Sequence, residues 1–323
     1  MHLPTPLVAW KSQQGTRGKE NDDHHGWFVI ERSDLRRTVY IAVVADGVTS
    51  TEGGAQASRI AVEAVQAALS ERPDPRQTIS EWLADAVLHA NEEILFEAKR
   101  NPQWKGMSTT VVLAALVGEK LYVLHLGDSR AYLIRDNCLH QLTTDHTWAQ
   151  EAFDAGTLTA EEAERHPGRN QLQRYLGAQH SLNIARGLIA PGSGQMEEYL
   201  SMQPGDVVLL CTDGLYRRVA SELITHTLVE QAGEPQDAVD RLVAAAVDSG
   251  EADDITALVI ALPLGRPNLG ESTTSAVNQD ALASFTLHEE QEQSTGPTWF
   301  TMLLTGAVLI LAVVTLYLLL FNG

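Results

Sequence analysis

The order of strand-like and helix-like segments is the feature of this sequence that most restricts its fold. Apolar residues at helical spacing predict helices over 54–70, 78–99 and 236–247. Strand-like segments follow one another in runs, with the helices inserted between the runs, which favours antiparallel sheets flanked by helices over an alternating βαβ arrangement. We therefore expect an α+β fold. Apolar alternation and β-branched runs predict strands over 27–31, 38–45, 109–117, 120–126, 131–135, 206–211 and 255–262.

The charge balance restricts the class of partner. The chain has 323 residues and a formal net charge of −19, from 42 acidic and 23 basic residues. No basic run occurs anywhere in it. A strongly acidic surface repels the phosphate backbone, so we expect no nucleic-acid partner.

The C-terminal third of the sequence changes character twice, and this sets the domain boundaries. Residues 1–264 form the folded domain, and 265–297 are rich in Pro, Gly, Ser, Thr, Asn and Gln, which predicts a flexible linker. Residues 299–321 are almost wholly apolar. At about 1.5 Å per residue they would give a helix of roughly 34 Å, enough to cross a hydrocarbon core of about 30 Å.

We therefore predict a transmembrane helix over 298–321, with a buried core helix as the alternative. Only Asn322 and Gly323 follow it, so we expect a single-pass C-terminal anchor. The N-terminus lacks the basic and apolar regions of a signal peptide, so we expect the folded domain to lie on the cytoplasmic side.

Four aspartates at the ends of apolar strand segments are the candidate chemical residues. Asp46, Asp128 and Asp213 follow such segments, and Asp253 precedes one. One such aspartate is commonly a turn former or a helix cap, but several together favour a shared cation site, because a carboxylate at a buried strand end needs compensation. Carboxylates without paired His or Cys favour Mg²⁺ or Mn²⁺ over Zn²⁺. Two such ions can activate a water for attack at phosphorus.

An ordered series of motifs over roughly residues 8–262 resembles the type 2C class of metal-dependent protein phosphatases in its bacterial form. Each motif alone is weak, whereas the series in this order and spacing is specific. The motifs are Gly15-Thr16-Arg17-Gly18-Lys19-Glu20-Asn21-Asp22-Asp23, Ala45-Asp46-Gly47-Val48, Gly106-Met107-Ser108-Thr109-Thr110, Gly127-Asp128-Ser129-Arg130-Ala131-Tyr132, Leu142-Thr143-Thr144-Asp145-His146, Cys211-Thr212-Asp213-Gly214-Leu215 and Asp253-Asp254-Ile255-Thr256.

The resemblance implies a fold and a set of site residues. The fold would be a four-layer αββα sandwich of two antiparallel sheets, with the metal cluster at one edge. Asp46 would bridge two Mn²⁺ or Mg²⁺ ions, the Gly47 carbonyl would contact one, and Asp213 and Asp253 would hold the other. The remaining roles that the resemblance implies are support of the cluster by Asp23, a third and weaker metal site at Asp128, and binding of the substrate phosphate by Arg17.

The resemblance also implies a reaction and partners. A water bridging the two ions would hydrolyse phosphoserine and phosphothreonine on proteins, opposed by a Ser/Thr kinase. The predicted C-terminal anchor would place this reaction at the cytoplasmic face of a membrane. Val48 stands where some members of the family carry a His that acts as a general acid. We expect no thiolate chemistry at Cys138 or Cys211.

Two other functions remain open from the sequence: a pseudophosphatase that binds phosphoproteins without turnover, and a membrane scaffold. The sequence gives no role to His24, His25 or His166, or to the polar insertion 147–174, which resembles the flap beside the active site of the family.

Overall fold

Two antiparallel sheets form the centre of the molecule. One has five strands in the order β1-β13-β12-β6-β7, and the other has the order β11-β5-β4-β3-β2, with β8 also paired to β5. Strands β9 and β10 form a separate pair. The computed structural model describes residues 3–16, 20–32, 37–48, 53–71, 74, 76–180 and 182–264. The strands are β1 (Leu7–Gln13), β2 (Asp23–Arg32), β3 (Arg37–Asp46), β4 (Val111–Val117), β5 (Lys120–Leu126), β6 (Arg130–Arg135), β7 (Cys138–Gln141), β8 (Ala185–Arg186), β9 (Leu188–Ile189), β10 (Met196–Glu197), β11 (Leu200–Ser201), β12 (Val207–Cys211) and β13 (Ile255–Ala261).

Helices cover the outer faces of the two sheets, and their ends carry sequence signals. Thr78 caps α2 through a capping box with Glu81. Pro235 opens α7, where its missing N–H costs nothing. The helices are α1 (Gly54–Ser70), α2 (Ile79–Arg100), α3 (Trp148–Asp154), α4 (Ala160–Arg165), α5 (Asp213–Tyr216), α6 (Ser221–Glu230) and α7 (Pro235–Asp248), with a short 3₁₀ turn at Pro102–Trp104.

Three apolar clusters define four layers. One cluster fills the space between the sheets and contains Val44 and Val112 from one sheet and Leu210 and Leu258 from the other. A second packs α1 and α2 on the β3–β4–β5 face. A third packs α6 and α7 on the β12–β13 face. Strands β4 and β13 are buried along their whole length, as expected for strands covered on both sides.

The structure confirms the α+β prediction, with antiparallel sheets and helices outside them. The predicted strands and the helices at 54–70, 78–99 and 236–247 are present, with ends shifted by a few residues. The described residues lie within one compact unit, Met1–Pro267. The linker 265–297 and the helix 298–321 lie outside the described residues and stay predictions. Within the described ranges, none of the helices combines the length and the apolar character that crossing a membrane requires.

Candidate active site

Asp23 and Asp46 are brought together by the pairing of β2 with β3. Asp23 begins β2 and Asp46 ends β3, and the two residues lie opposite each other in the antiparallel register. The Asp46 carbonyl accepts hydrogen bonds from Thr110 N at 2.8 Å and from Thr109 Oγ1 at 2.8 Å. These bonds hold the end of β3 against the segment that leads into β4.

The next residue, Gly47, lies where the backbone is too crowded for a side chain. A Cβ on this residue would meet the Gly54 carbonyl oxygen at 2.3 Å and the Asp22 carbonyl oxygen at 2.6 Å. Gly47 N also donates to Asp22 O at 3.0 Å. Glycine is therefore required for the close approach of the β3 end to the start of α1.

Asp213 and Asp253 come from the neighbouring strands β12 and β13 of the other sheet. Asp213 is the first residue of α5, directly after β12, and Asp253 lies two residues before β13. A Cβ on Gly214 would meet the Asp254 carbonyl oxygen at 2.1 Å, so the two segments touch through their backbones. The pairing of β12 with β13 thus sets both carboxylates at the same end of the sandwich.

A buried hydrogen bond joins this end of one sheet to the other. Thr212 Oγ1 donates to Asp23 Oδ2 at 2.8 Å and accepts from Thr256 N at 3.0 Å. Thr212 and Thr256 are fully buried, and Asp23 is 6% exposed. Asp23 Oδ1 is buried and has no hydrogen-bond partner among the described residues. An ionised carboxylate in such a place requires a further positive group or donor.

Four of the predicted aspartates line one small cavity. Its volume is about 230 Å³, and Asp46, Asp128, Asp213 and Asp253 all contribute to its wall. Burial, and then the charges of Asp23 and of the other three aspartates, raise the pKa of Asp46 well above its usual range. The residues that line the cavity are Asp46, Gly47, Val48, Thr110, Asp128, Asn170, Leu172, Asp213, Arg217 and Asp253.

The cavity wall offers a metal ion carboxylate oxygens. In the part of the chain that the structure describes, no three His, Cys, Asp or Glu side chains form a complete preformed ligand set. The carboxylates are nevertheless hard oxygen donors, and Asp23 Oδ1 is a buried acceptor without a donor. Mg²⁺ and Mn²⁺ sites of this kind are completed by waters and backbone carbonyls, so the residues fit these ions.

Arg217 is a site residue that the sequence predictions missed. It forms ion pairs with Asp128, at 2.9 Å from Nη2 to Oδ2, and with Asp213 through Nη1. Tyr216 Oη donates to the Asp128 carbonyl at 2.9 Å. Burial, and then the charge of Asp213, raise the pKa of Asp128 to about 7 despite its pairing with Arg217. The four-residue separation of Asp213 from Arg217 was the available sequence signal.

Cys211 and Arg217 stand at the Cys-X5-Arg spacing of thiolate phosphatases, a match that the sequence prediction overlooked. Cys211 lies in β12 with no exposed surface, and burial raises the pKa of its thiol far above the usual range. A nucleophilic cysteine needs the opposite, an accessible thiolate. Arg217 pairs with the aspartates instead. The expectation of no thiolate chemistry therefore holds for a structural reason.

The histidines lie outside the small cavity. His24 and His25 follow Asp23 on β2, and burial lowers the pKa of both. His166 packs against Trp148, with ring centroids 4.3 Å apart. None of the three contributes to the wall of the 230 Å³ cavity.

A second, larger cavity of about 650 Å³ continues from the small one. Asp128, Asn170, Asp213, Arg217 and Asp253 line both. Its far wall comes from the insertion that contains α3 and α4, with apolar, polar and charged side chains. These are Gln150, Phe153, Ala160, Ala163, Glu164 and Arg169, among others. Arg17, predicted to bind the substrate phosphate, lies outside the described residues.

Comparison with known proteins identifies relatives over most of the chain. The family model described as "Protein phosphatase 2C" matches residues 13–250. The serine/threonine protein phosphatase PstP of Mycobacterium tuberculosis is 34% identical over 239 residues, which cover 71% of this chain and 42% of PstP. The serine/threonine phosphatase stp of Listeria monocytogenes is 28% identical over 255 residues, which cover 78% of this chain and 94% of stp.

Solved structures give the same assignment of fold. The crystal structure of Mycobacterium tuberculosis PstP/Ppp superposes with a TM-score of 0.66 at 29% identity, covering 80% of this chain and 100% of that one. A structure of the PstP catalytic domain in complex with two manganese ions superposes with a TM-score of 0.63 at 26% identity, covering 80% and 98%.

Proposed function

The chain belongs to the protein phosphatase 2C family of serine/threonine phosphatases, and on that premise we propose that it hydrolyses phosphoserine and phosphothreonine on proteins at the carboxylate cavity. The observation that carries the proposal is the convergence of Asp46, Asp128, Asp213 and Asp253, from four separate segments, on one cavity of about 230 Å³. The reaction adds water to phosphorus, breaks the P–O ester bond, and returns a proton to the seryl or threonyl oxygen.

Each side chain has a part in this proposal. Asp46, Asp213 and Asp253, with the Gly47 carbonyl, would hold two Mn²⁺ or Mg²⁺ ions, which supply an activated water and charge neutralisation at the phosphoryl oxygens. Asp23, which lies opposite Asp46 on β2, would support the cluster, and Thr212 orients its carboxylate. Val48 lines the cavity and has no proton to donate, so the leaving oxygen would take its proton from another donor, for which we propose a water.

The larger cavity supports a protein rather than a small-molecule substrate. It is open, about 650 Å³ in volume, and continuous with the carboxylate cavity through shared residues such as Asn170 and Arg217. A segment of polypeptide on either side of a phosphorylated residue would have room there, against Phe153 and the Arg169 guanidinium. Phosphoproteins made by an opposing Ser/Thr kinase are the substrates that we propose.

The test is hydrolysis of a phosphothreonine peptide and of an aryl phosphate with Mn²⁺, by the wild type and two matched variants. Asp213→Asn removes one buried carboxylate of the cavity, and we expect activity to fall about 100-fold or more, since loss of even an outer partner of a metal site costs about 10–100-fold. Asp240→Asn removes a carboxylate of α7 that pairs with Lys11 of β1, and we expect unchanged activity.

Three results would contradict the proposal. A wild-type chain that binds the phosphopeptide and never releases phosphate, with any metal added, is the phosphoprotein-binding pseudophosphatase. Equal activity in the Asp213→Asn and wild-type chains would move the reaction to another site. A chain whose melting temperature is unchanged by Mn²⁺ would support the scaffold, because ligand binding to the folded state raises stability by mass action.

We also propose that the enzyme works at a membrane surface. The support is the sequence of residues 299–321, which is almost wholly apolar and uncharged. Two aspartates introduced there, Leu309→Asp and Val313→Asp, should release the full-length chain from washed membranes. Two serines at the same positions should not. Release of the unaltered chain by an alkaline wash would refute insertion of this segment into the membrane, and recovery of the chain in the soluble fraction before any wash would refute membrane attachment.

A further inference from the structure

The guanidinium of Arg217 lies between two carboxylates that come from different parts of the fold. Nη2 contacts Asp128 Oδ2 at 2.9 Å, and Nη1 contacts Asp213 Oδ2. Asp128 lies in the loop that leads from β5 of one sheet to β6 of the other, and Asp213 lies at the start of α5, after β12. Arg217 therefore joins the β5–β6 loop to the start of α5 at the carboxylate cavity, in which all three residues are part of the wall.

The position of this arginine is fixed by its neighbours. Arg217 is one helical turn after Asp213, and its N–H bonds to the Asp213 carbonyl at 3.1 Å. The preceding residue, Tyr216, donates its hydroxyl hydrogen to the Asp128 carbonyl at 2.9 Å. The loop that carries Asp128 is thus bound to the same helical turn at its backbone and at its carboxylate. The Arg217 side chain is 28% exposed, and the Asp128 side chain only 6%.

The Arg217 guanidinium is permanently charged, and its shape allows it to pair with both carboxylates. An arginine stays protonated at any physiological pH, and its planar fork can serve two carboxylates at once. A divalent cation that bound the same Asp128 oxygen would have to displace the guanidinium or lie beside its positive charge. The guanidinium also contacts Asp213, but two ions at that side of the cavity would be held by Asp46 and Asp253 as well. At Asp128 a third, weaker ion would have to compete with the guanidinium for that carboxylate, so the third metal site that the family resemblance implies does not fit.

We propose that Arg217 takes the place of a third divalent cation at Asp128, so that this enzyme binds two such ions per chain and keeps a built-in positive charge beside them. The inference rests on the proposed function, because it assumes that the other carboxylates hold two ions. The guanidinium joins the β5 and β12 ends at any metal concentration, whereas a weakly bound third ion would do so only when the metal is abundant.

The experiment counts Mn²⁺ ions per full-length chain by equilibrium dialysis near pH 8, where Asp128 is ionised. The wild type should bind two ions. Asp128→Asn should also bind two, because no ion depends on that carboxylate. Arg217→Asn should bind a third, weaker ion at Asp128, whose carboxylate would no longer be paired with the guanidinium. The matched control is Arg218→Asn, which removes the same charge one residue away, from a pair with Glu251, and should bind two.

Several results would overturn the inference. A third ion in the wild type that is lost in Asp128→Asn would show that the carboxylate holds metal despite Arg217. A folded Arg217→Asn chain that still binds two would show that the place cannot take a cation. If Arg217→Asn does not fold, Arg217→Gln, which also removes the charge and keeps more of the side chain, is counted in its place with the same expected and refuting results. A wild type that binds no Mn²⁺ would refute the proposed function instead.

Discussion

Thr212 provides the sharpest test of how the two sheets support the site. Its hydroxyl donates to Asp23 Oδ2 at 2.8 Å and accepts from Thr256 N at 3.0 Å, and both bonds are buried. Thr212→Val keeps the shape of the side chain and removes both bonds. A buried donor or acceptor that loses its partner costs about 1–3 kcal/mol. With one carboxylate oxygen and one backbone N–H affected, we expect the free energy of unfolding to fall by roughly 2–5 kcal/mol.

Thr212→Ser is the matched control, because it keeps the hydroxyl and loses only a methyl group. The lost burial costs about 1 kcal/mol. Urea denaturation of the metal-free proteins gives the free energy of unfolding for each. If the valine variant is no less stable than the serine variant, the hydrogen bonds contribute nothing, and our account of the contact between the sheets is wrong.

The same pair of variants tests metal binding. Burial raises the pKa of Asp23, whereas the hydrogen bonds from Thr256 and Thr212 lower it, because they favour the ionised carboxylate. Loss of the Thr212 hydroxyl should therefore make Asp23 harder to ionise. Metal binding needs ionised ligands, so the Mn²⁺ concentration at half-saturation should rise in the valine variant and not in the serine variant.

Three further predictions concern other residues of the fold. Burial raises the pKa of Asp128 in the folded chain from 3.8 to about 7. The folded state therefore binds one more proton than the unfolded state between these values, and the free energy of unfolding of the wild type falls as the pH rises through that range. Because an asparagine does not titrate, the metal-free Asp128→Asn variant should become more stable relative to the wild type between about pH 4 and pH 7, as measured by urea denaturation. Gly47→Ala should lower the free energy of unfolding by about 1–3 kcal/mol or more, because its Cβ would meet a carbonyl oxygen at 2.3 Å, whereas Gly233→Ala, with nothing within 4 Å, should be neutral. Cys211 is buried and Cys138 is exposed, so a disulfide reagent should titrate one thiol in the native chain and two in urea; fast reaction of both native thiols would contradict the fold.

The sequence predicts best the elements whose burial is most complete. Strands β4 and β13 are apolar along their whole length, and helices α1 and α2 have one clear apolar stripe, so the pattern alone identifies them. Strand β1 was missed. Its sequence LVAWKSQ buries only Ala9, because the strand lies at the edge of its sheet and pairs on one side with β13. The two-residue strands β8–β11 are too short to give any periodic signal.

Some residues of the candidate site can also be predicted from the sequence, and others cannot. Aspartates at strand ends are visible in the sequence, because a charge next to an apolar run is unusual, and Asp46, Asp128, Asp213 and Asp253 all line the cavity. Their metal-binding roles stay predictions. For Arg217 the sequence offers only its four-residue separation from Asp213. Its contact with Asp128, 89 residues away, has no local pattern, because it follows from how the β5–β6 loop packs against α5.

The buried carboxylates at this end of the sandwich have opposite effects on the stability of the metal-free fold and on metal binding. Burial and the neighbouring carboxylates raise the pKa of both Asp23 and Asp46, so their ionised forms weaken the metal-free fold. The same ionised forms are what a pair of hard cations requires. Thr212 donates to Asp23, and Arg217, which is part of the cavity wall, pairs with Asp128 and Asp213, so both favour ionised carboxylates in the cluster. If the cations that we propose bind there, the acidic cluster should reach its full stability only with them.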